Sequence, residues 1–131
     1  MDQFERVMCV EDDPDIRMIL DFSLGRMGGY SLCLCESGMQ ALERVTDFNP
    51  QLVLLDVMMP EMSGPETLLK LRELPVMRGV PIVFLTAKAM QDEVEGLLEH
   101  GATGIIVKPF DPVTLPQNIR IYWEHGRGNP T

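Results

Sequence analysis

Short, continuous apolar runs alternate along the chain with longer segments in which apolar residues recur every three or four positions. A continuous apolar run is typical of a strand that is buried on both faces of a sheet. Recurrence at three or four positions predicts an amphipathic helix. The predicted strands are Arg6–Val10, Tyr30–Cys35, Leu52–Leu55, Val80–Leu85 and Gly104–Val107, of which the second alternates more and is expected to be more exposed.

A segment with helical periodicity follows each predicted strand. The predicted helices are 16–27, Ser37–Phe48, Gly64–Leu74, 90–98 and a last helix from Pro116 to about His125. Gly28-Gly29 ends the first helix and Asn49-Pro50 ends the second. Proline is tolerated only in the first turn of a helix, so the regular part of the last helix is expected after Pro116.

Strand and helix alternate in this way along the whole chain, and the connections are too long for hairpins. Right-handed crossovers then yield a parallel sheet with helices on both faces. A chain of 131 residues fits one domain with its own core. The sequence therefore predicts an α/β, doubly wound fold in which residues 1–125 form the domain and residues 126–131 form a flexible tail or truncated linker.

Charge and composition narrow the partners and the compartment. Eleven basic and twenty acidic residues give a formal charge of −9, which disfavours direct nucleic-acid binding. No apolar stretch approaches the roughly 20 residues of a membrane span, and the N-terminus lacks the pattern of a signal peptide. Cys9, Cys33 and Cys35 lie in apolar segments and are expected to be reduced. We therefore expect a cytoplasmic protein without a membrane partner.

Polar side chains follow or end four of the apolar runs. They are Glu11–Asp13 after the first run, Asp56 after the third, Thr86 after the fourth and Lys108 after the fifth. Because the carboxyl ends of parallel strands share one edge of a sheet, these groups should converge on one crevice. Asp13-Pro14 is itself a helix-start signal, with Asp13 as the N-cap, which leaves Glu11 and Asp12 free for another role.

Three carboxylates in one crevice would repel each other unless a cation offset their charge. Glu11, Asp12 and Asp56 therefore indicate a hard divalent ion with oxygen ligands, and Mg²⁺ is a typical choice. Lys108 would reach an oxyanion near Asp56 as a point charge. The Thr86 hydroxyl would donate to a phosphoryl oxygen, so the sequence predicts a site for a metal and a phosphate together.

Four motifs in this order resemble the receiver domain of two-component response regulators, in particular stand-alone chemotaxis-type receivers. The motifs are Val10–Pro14, Leu55–Pro60 together with Gly64, Leu85–Ala87, and Lys108–Phe110. The resemblance covers about residues 6–125. It implies a flavodoxin-like sheet with strand order 2-1-3-4-5 and a phosphorylation-dependent signalling switch.

The resemblance also implies how the crevice works. Asp56 would accept a phosphoryl group from the phosphohistidine of a sensor histidine kinase or histidine phosphotransfer protein. Mg²⁺ would be bound by Asp12, Asp56 and the backbone carbonyl of Met58, with Glu11 acting through water. Such a domain is not an enzyme in the ordinary sense, because it catalyses only its own phosphorylation and dephosphorylation.

The remaining roles implied by the resemblance concern the phosphoryl group and its effects. Lys108, the Thr86 hydroxyl and the Ala87 amide would bind it, and the Lys108–Pro109 bond would be cis. Met58 and Lys88 would influence the lifetime of the phosphoryl group.

One position departs from the family pattern. Many receivers have an aromatic residue three positions before the lysine, where this chain has Ile105. The surface near Thr86 and Ile105 is nevertheless expected to be read by an output protein or domain that the sequence leaves unidentified. The sequence also leaves open whether the domain forms a homodimer.

Two other classes of protein share parts of this layout. A Mg²⁺-dependent phosphatase of haloacid-dehalogenase type would use Asp56 as its nucleophile, but it places a second aspartate where this chain has Met58. A flavodoxin-like nucleotide binder would need a glycine-rich loop after the first strand, and the sequence has none there. The receiver interpretation is therefore the leading hypothesis.

Overall fold

The computed structural model describes residues 3–87 and 90–127. Its strands are β1 (Arg6–Val10), β2 (Ser31–Cys35), β3 (Leu52–Asp56), β4 (Ile82–Thr86) and β5 (Gly104–Val107). All four strand pairs are parallel, and the order across the sheet is β2-β1-β3-β4-β5. The predicted strand order is thus confirmed.

In the described residues, one α-helix follows each of the five strands, and these helices cover both faces of the sheet. They are α1 (Pro14–Leu20), α2 (Gly38–Phe48), α3 (Gly64–Arg72), α4 (Gln91–Glu99) and α5 (Leu115–Arg127). Three of them begin after an N-cap residue whose side-chain oxygen accepts a hydrogen bond from the backbone of the first turn. These residues are Asp13 for α1, Ser37 for α2 and Ser63 for α3. No helix in the described part of the chain has the length and apolarity of a membrane span.

The sheet separates two apolar cores because successive strand side chains point to opposite faces. Cys9 and Leu54 belong to the core beneath α1 and α5, whereas Val10 and Leu55 belong to the core beneath α2 and α3. Every residue of β3 and β4 is buried. This double-sided burial explains why these two strands read as continuous apolar runs, and why a polar residue at their ends is conspicuous.

The first helix differs from a regular α-helix in its second half. After α1, residues Asp21–Met27 continue as a π-helical segment that ends at Gly28, where the sequence predicts the end. Ser23 in this segment is buried and donates a hydrogen bond to the carbonyl of Pro112, at 2.5 Å. The wider winding therefore accompanies a contact between the first helix and the loop after β5.

The ends of two helices differ from their predicted positions. α3 ends at Arg72, two residues before the predicted Leu74, because a residue before proline favours extended backbone and Leu74 precedes Pro75. α5 begins at Leu115 rather than after Pro116, since a proline in the first turn loses no helical hydrogen bond.

The C-terminal end of α5 also lies beyond its predicted position. The helix runs to Arg127 instead of ending near His125. Gly126 lies so close to Pro81 that a side chain at this position would collide with the proline ring, so the glycine allows the last turn to pack there. Residues 126 and 127 thus continue the helix, and the rest of the predicted tail, 128–131, lies outside the described residues.

Candidate functional site

Acidic residues from β1 and β3 meet at the carboxyl edge of the sheet. β1 pairs with β3 so that Val10 lies opposite Leu55, which brings Glu11 beside Asp56, the last residue of β3. Carboxylate oxygens of Glu11, Asp12 and Asp56 lie within 4.8 Å of one another. The convergence that the sequence predicts is therefore observed.

Asp13 has the separate role that the sequence assigns to it. Its Oδ1 accepts a hydrogen bond from the backbone N–H of Asp15 at 2.8 Å and caps α1. Its own N–H donates to Glu11 Oε2 at 3.1 Å. The cap therefore also orients one oxygen of the Glu11 carboxylate.

Lys108 enters the acidic cluster from β5. Its backbone N–H donates to the Thr86 carbonyl at 2.8 Å, and its peptide bond to Pro109 is cis, as the resemblance implies. The side-chain Nζ donates to Asp56 Oδ1 at 3.0 Å and lies 2.6 Å from Glu11 Oε1. One ammonium group thus contacts two carboxylates.

Burial of the two carboxylates that contact Lys108 changes the pKa values of all three groups. Glu11 is 1% exposed and Asp56 is 4% exposed. Burial raises the pKa of Glu11 to about 7, against the opposing effect of Lys108 and with a further contribution from the charge of Asp56. Burial also raises the pKa of Asp56, which Lys108 again opposes. For Lys108, burial by itself lowers the pKa, but the two carboxylates outweigh it and the net direction is upward.

The raised pKa of Glu11 predicts how the stability of the metal-free domain depends on pH. Between its unfolded value near 4.5 and its folded value of about 7, the folded state binds more protons than the unfolded state. The free energy of unfolding should therefore fall as the pH rises through this window. Urea unfolding with a chelator at about pH 5 and about pH 8 measures the slope. In Glu11→Gln the slope should be smaller, and an unchanged slope would contradict the prediction.

The donor set fits a hard divalent cation. Glu11 Oε1 is buried, and its closest charged partner is the Lys108 Nζ in the ion pair at 2.6 Å. The site is an open cavity of about 250 Å³, also lined by Met58 and Ala87. Three carboxylates whose oxygens lie within 4.8 Å of one another offer the oxygen ligands that Mg²⁺ prefers.

The other predicted site residues divide into two groups. Thr86 is buried at the end of β4 and lines the same cavity as Ala87 and Met58. Ile105 does not: it lies on β5 opposite Phe84 and packs, partly buried, against the core beneath α2 and α3. The predicted contribution of Lys88 falls outside the described residues.

Two residues around the site were not found by motif reasoning. Arg17 from α1 donates to the carbonyls of Glu11 and Asp12. Tyr122 from α5 donates its hydroxyl to the Ile105 carbonyl at 3.2 Å, and its ring occupies the space that a side chain at Gly104 would fill. An arginine one turn after an acidic strand end and a glycine opposite an aromatic residue are the only sequence signals for these contacts.

Known proteins with related sequences have the same kind of domain. Residues 7–120 match the family described as the response regulator receiver domain. The DNA-binding response regulator MtrA of Mycolicibacterium smegmatis is 37% identical over 126 residues, which cover 96% of this chain and 54% of that protein. An uncharacterized 14.6 kDa protein of Leptolyngbya boryana is 34% identical, with 88% of both chains covered. The chain spans about half the length of the MtrA relatives it matches.

Solved structures give the same result. The chemotaxis protein CheY4 of Vibrio cholerae superimposes with a TM-score of 0.85 at 28% identity, covering 92% of this chain and 99% of that one. The receiver domain of the sensor histidine kinase PA1611 of Pseudomonas aeruginosa, solved with a magnesium ion in its active site cleft, has a TM-score of 0.80 at 26% identity. Here 97% of this chain and 100% of that one are covered.

The sheet order, the acidic cluster and these similarities define a class of signalling domain. The chain belongs to the response regulator receiver domain family, whose members are phosphorylation-dependent switches of two-component systems. The haloacid-dehalogenase alternative finds no support among these relatives.

Proposed function

We propose that Asp56 is the phosphoacceptor of this receiver domain. The observation that carries the proposal is the Lys108 ammonium group, which is held 3.0 Å from Asp56 Oδ1 at a cavity that Thr86 and Ala87 also line. A cation and a hydroxyl beside a carboxylate suit a group that receives a phosphoryl anion. The buried position of Asp56 also limits access of water to the bond that would form.

The reaction conserves atoms and charge in a simple way. A carboxylate oxygen of Asp56 attacks the phosphorus of a phosphohistidine in line with the P–N bond. That bond breaks, its electron pair stays on the histidine nitrogen, and an acyl phosphate forms on Asp56. Lys108, the Thr86 hydroxyl and the Ala87 amide bind the oxygens of the transferred group, where positioning and neutralisation of charge provide most of the catalysis.

A divalent cation completes the proposed site. Asp12, Asp56 and the backbone carbonyl of Met58 would hold Mg²⁺ directly, and Glu11 would act through water. When bound, the ion neutralises negative charge on the phosphoryl oxygens. The three converging carboxylates, of which Glu11 and Asp56 are buried, support this assignment.

Phosphorylation would change the charge at the end of β3 and thereby the surface near β4 and β5. A phosphorylated aspartate would carry about −1.5 to −2 charges at neutral pH, compared with about −1 for the free carboxylate. We propose that Thr86 follows the new group and that the surface near Ile105 is where an output protein or domain reads the state. The link between the Lys108 N–H and the Thr86 carbonyl connects the two strands at this point.

Membership of the receiver family indicates which classes of protein this domain would bind. Receiver domains of response regulators interact with histidine kinases and with output domains. We propose a sensor histidine kinase or histidine phosphotransfer protein as the donor, in the cytoplasm, and no direct contact with nucleic acid because the chain carries a charge of −9. The domain would turn over no external substrate. Whether it signals as a monomer or as a homodimer is left open. Met58, at the mouth of the cavity, would influence the phosphoryl lifetime.

A phosphorylation assay tests the proposal. Incubation with Mg²⁺ and acetyl phosphate should add the mass of one phosphoryl group to the wild type and nothing to Asp56→Asn. Asp13→Asn is the matched control, because Asp13 lies in the same loop but caps α1, and it should be modified like the wild type. An adduct that persists in Asp56→Asn, or no adduct in the wild type, would overturn the proposal.

A further inference from the structure

Arg17 connects α1 to the backbone of the acidic loop. Its NH1 donates to the Glu11 carbonyl at 2.8 Å and to the Asp12 carbonyl at 3.0 Å. Its NH2 lies 3.9 Å from a carboxylate oxygen of Glu36. The guanidinium group therefore contacts the main chain of two of the three residues whose carboxylates converge.

These two hydrogen bonds determine the orientation of consecutive peptide groups. The planar guanidinium presents its donors in a fixed geometry, so carbonyl groups that bind it cannot rotate independently. The N–H side of the loop is held by other contacts, since the Glu11 N–H donates to the Cys35 carbonyl at 2.9 Å. Arg17 provides the corresponding restraint on the carbonyl side.

We propose that Arg17 is a positioning residue for the divalent cation of this site. By holding the Glu11 and Asp12 carbonyls, it keeps both carboxylates directed toward Asp56 before the ion binds. This inference rests on the proposed function, since it assumes that the acidic cluster binds Mg²⁺. Arg17 itself offers no ligand atom to a cation.

The positive charge of Arg17 would weaken cation binding, whereas positioning of the ligands would strengthen it. The direction in which the Mg²⁺ affinity changes when Arg17 is replaced therefore distinguishes the two effects. A positive charge beside the cluster repels Mg²⁺, so if Arg17 acted only through its charge, its removal would tighten binding. If it acts by positioning, its removal weakens binding in spite of the lost repulsion. The contact with Glu36 contributes little in either case, because it is long and Glu36 is 63% exposed at its side chain.

Isothermal titration of the unphosphorylated domain with MgCl₂ is the test. We expect Arg17→Gln to weaken Mg²⁺ binding by about tenfold, as is typical when a residue that orients metal ligands is lost. Arg17→Lys keeps the charge but not the planar fork, and it should also weaken binding, to a smaller extent. Glu36→Gln should leave the affinity unchanged. Arg44→Gln is the matched control, because Arg44 also donates to a carbonyl, that of Leu34, but outside the acidic loop.

The outcomes separate this inference from the proposed function. Tighter binding in Arg17→Gln with no change in Arg17→Lys would show a charge effect and overturn positioning. Equal affinities of wild type, both Arg17 variants and Arg44→Gln would also overturn it. Urea unfolding without metal tests whether Arg17→Gln is folded, and Arg17→Lys carries the test if it is not. A wild type that binds no Mg²⁺, or forms no adduct on Asp56, would instead contradict the proposed function.

Discussion

Lys108→Met should lower the free energy of unfolding of the metal-free domain at about pH 8 by about 3 kcal/mol. The substitution removes the ammonium group that contacts both Glu11 and Asp56, and it leaves two buried carboxylates side by side. Loss of one partner from a buried ion pair typically costs about 3–5 kcal/mol. We expect the lower end, because Glu11 already has a raised pKa and can take up a proton.

The destabilisation caused by Lys108→Met should depend on pH. At about pH 5 the destabilisation should be smaller, since protonation of the carboxylates relieves their repulsion. Urea unfolding with a chelator at both pH values gives the two free energies. Lys70→Met is the matched control: Lys70 is an exposed lysine on α3, and its loss should change stability by less than about 0.5 kcal/mol. Equal effects of the two substitutions would contradict the description of the site.

Gly64→Ala should both destabilise the domain and slow its phosphorylation. Gly64 is the first residue of α3 and donates its N–H to the Val57 carbonyl at 2.8 Å. A Cβ atom at this position would collide with the carbonyl oxygen of Asp56 and come within 2.8 Å of the Val57 Cα, and both obstacles are backbone. Either α3 or the end of β3 must therefore move. Overpacking of this kind costs about 1–3 kcal/mol.

Gly64→Ala should also slow phosphorylation of Asp56. A shift of the Asp56 backbone misplaces the proposed nucleophile, and a misplacement of about 1 Å can cost roughly 100-fold in rate. The initial rate of adduct formation with acetyl phosphate measures it. Gly96→Ala is the control, because a Cβ at that position would meet nothing within 4 Å beyond the neighbouring backbone of α4 itself, and it should stabilise the helix by up to about 1 kcal/mol. Gly64→Ala with wild-type stability and rate would contradict the close packing of α3 on β3.

Much of the fold and site could be predicted because β3 and β4 are buried on both faces. A strand in that environment must be continuously apolar, so Asp56 and Thr86 stand out as the first polar residues at its end. A parallel sheet then brings such ends to the same edge, and Lys108 arrives there from β5 by the same rule. The position of the site could therefore be predicted from the polar residues at the strand ends rather than from any single motif.

Other features depend on contacts that leave little trace in sequence. The π-helical segment Asp21–Met27 keeps apolar spacing close to that of an α-helix, and the bond from Ser23 joins it to Pro112, 89 residues away. Arg17 binds backbone carbonyls, which every residue has, so its partners cannot be inferred from residue types. The last turn of α5 depends on how Gly126 packs against Pro81.

The location of the phosphoryl group tests the central claim most directly. Borohydride reduces an aspartyl phosphate to homoserine, so treatment of the phosphorylated domain followed by peptide mass spectrometry identifies the modified residue. This matters because a carboxylate oxygen of Asp12 lies within 4.8 Å of one on Asp56 and is therefore a competing acceptor. We predict homoserine at position 56 and unmodified aspartate at positions 12 and 13. Homoserine at position 12 or 13, with Asp56 intact, would contradict the account.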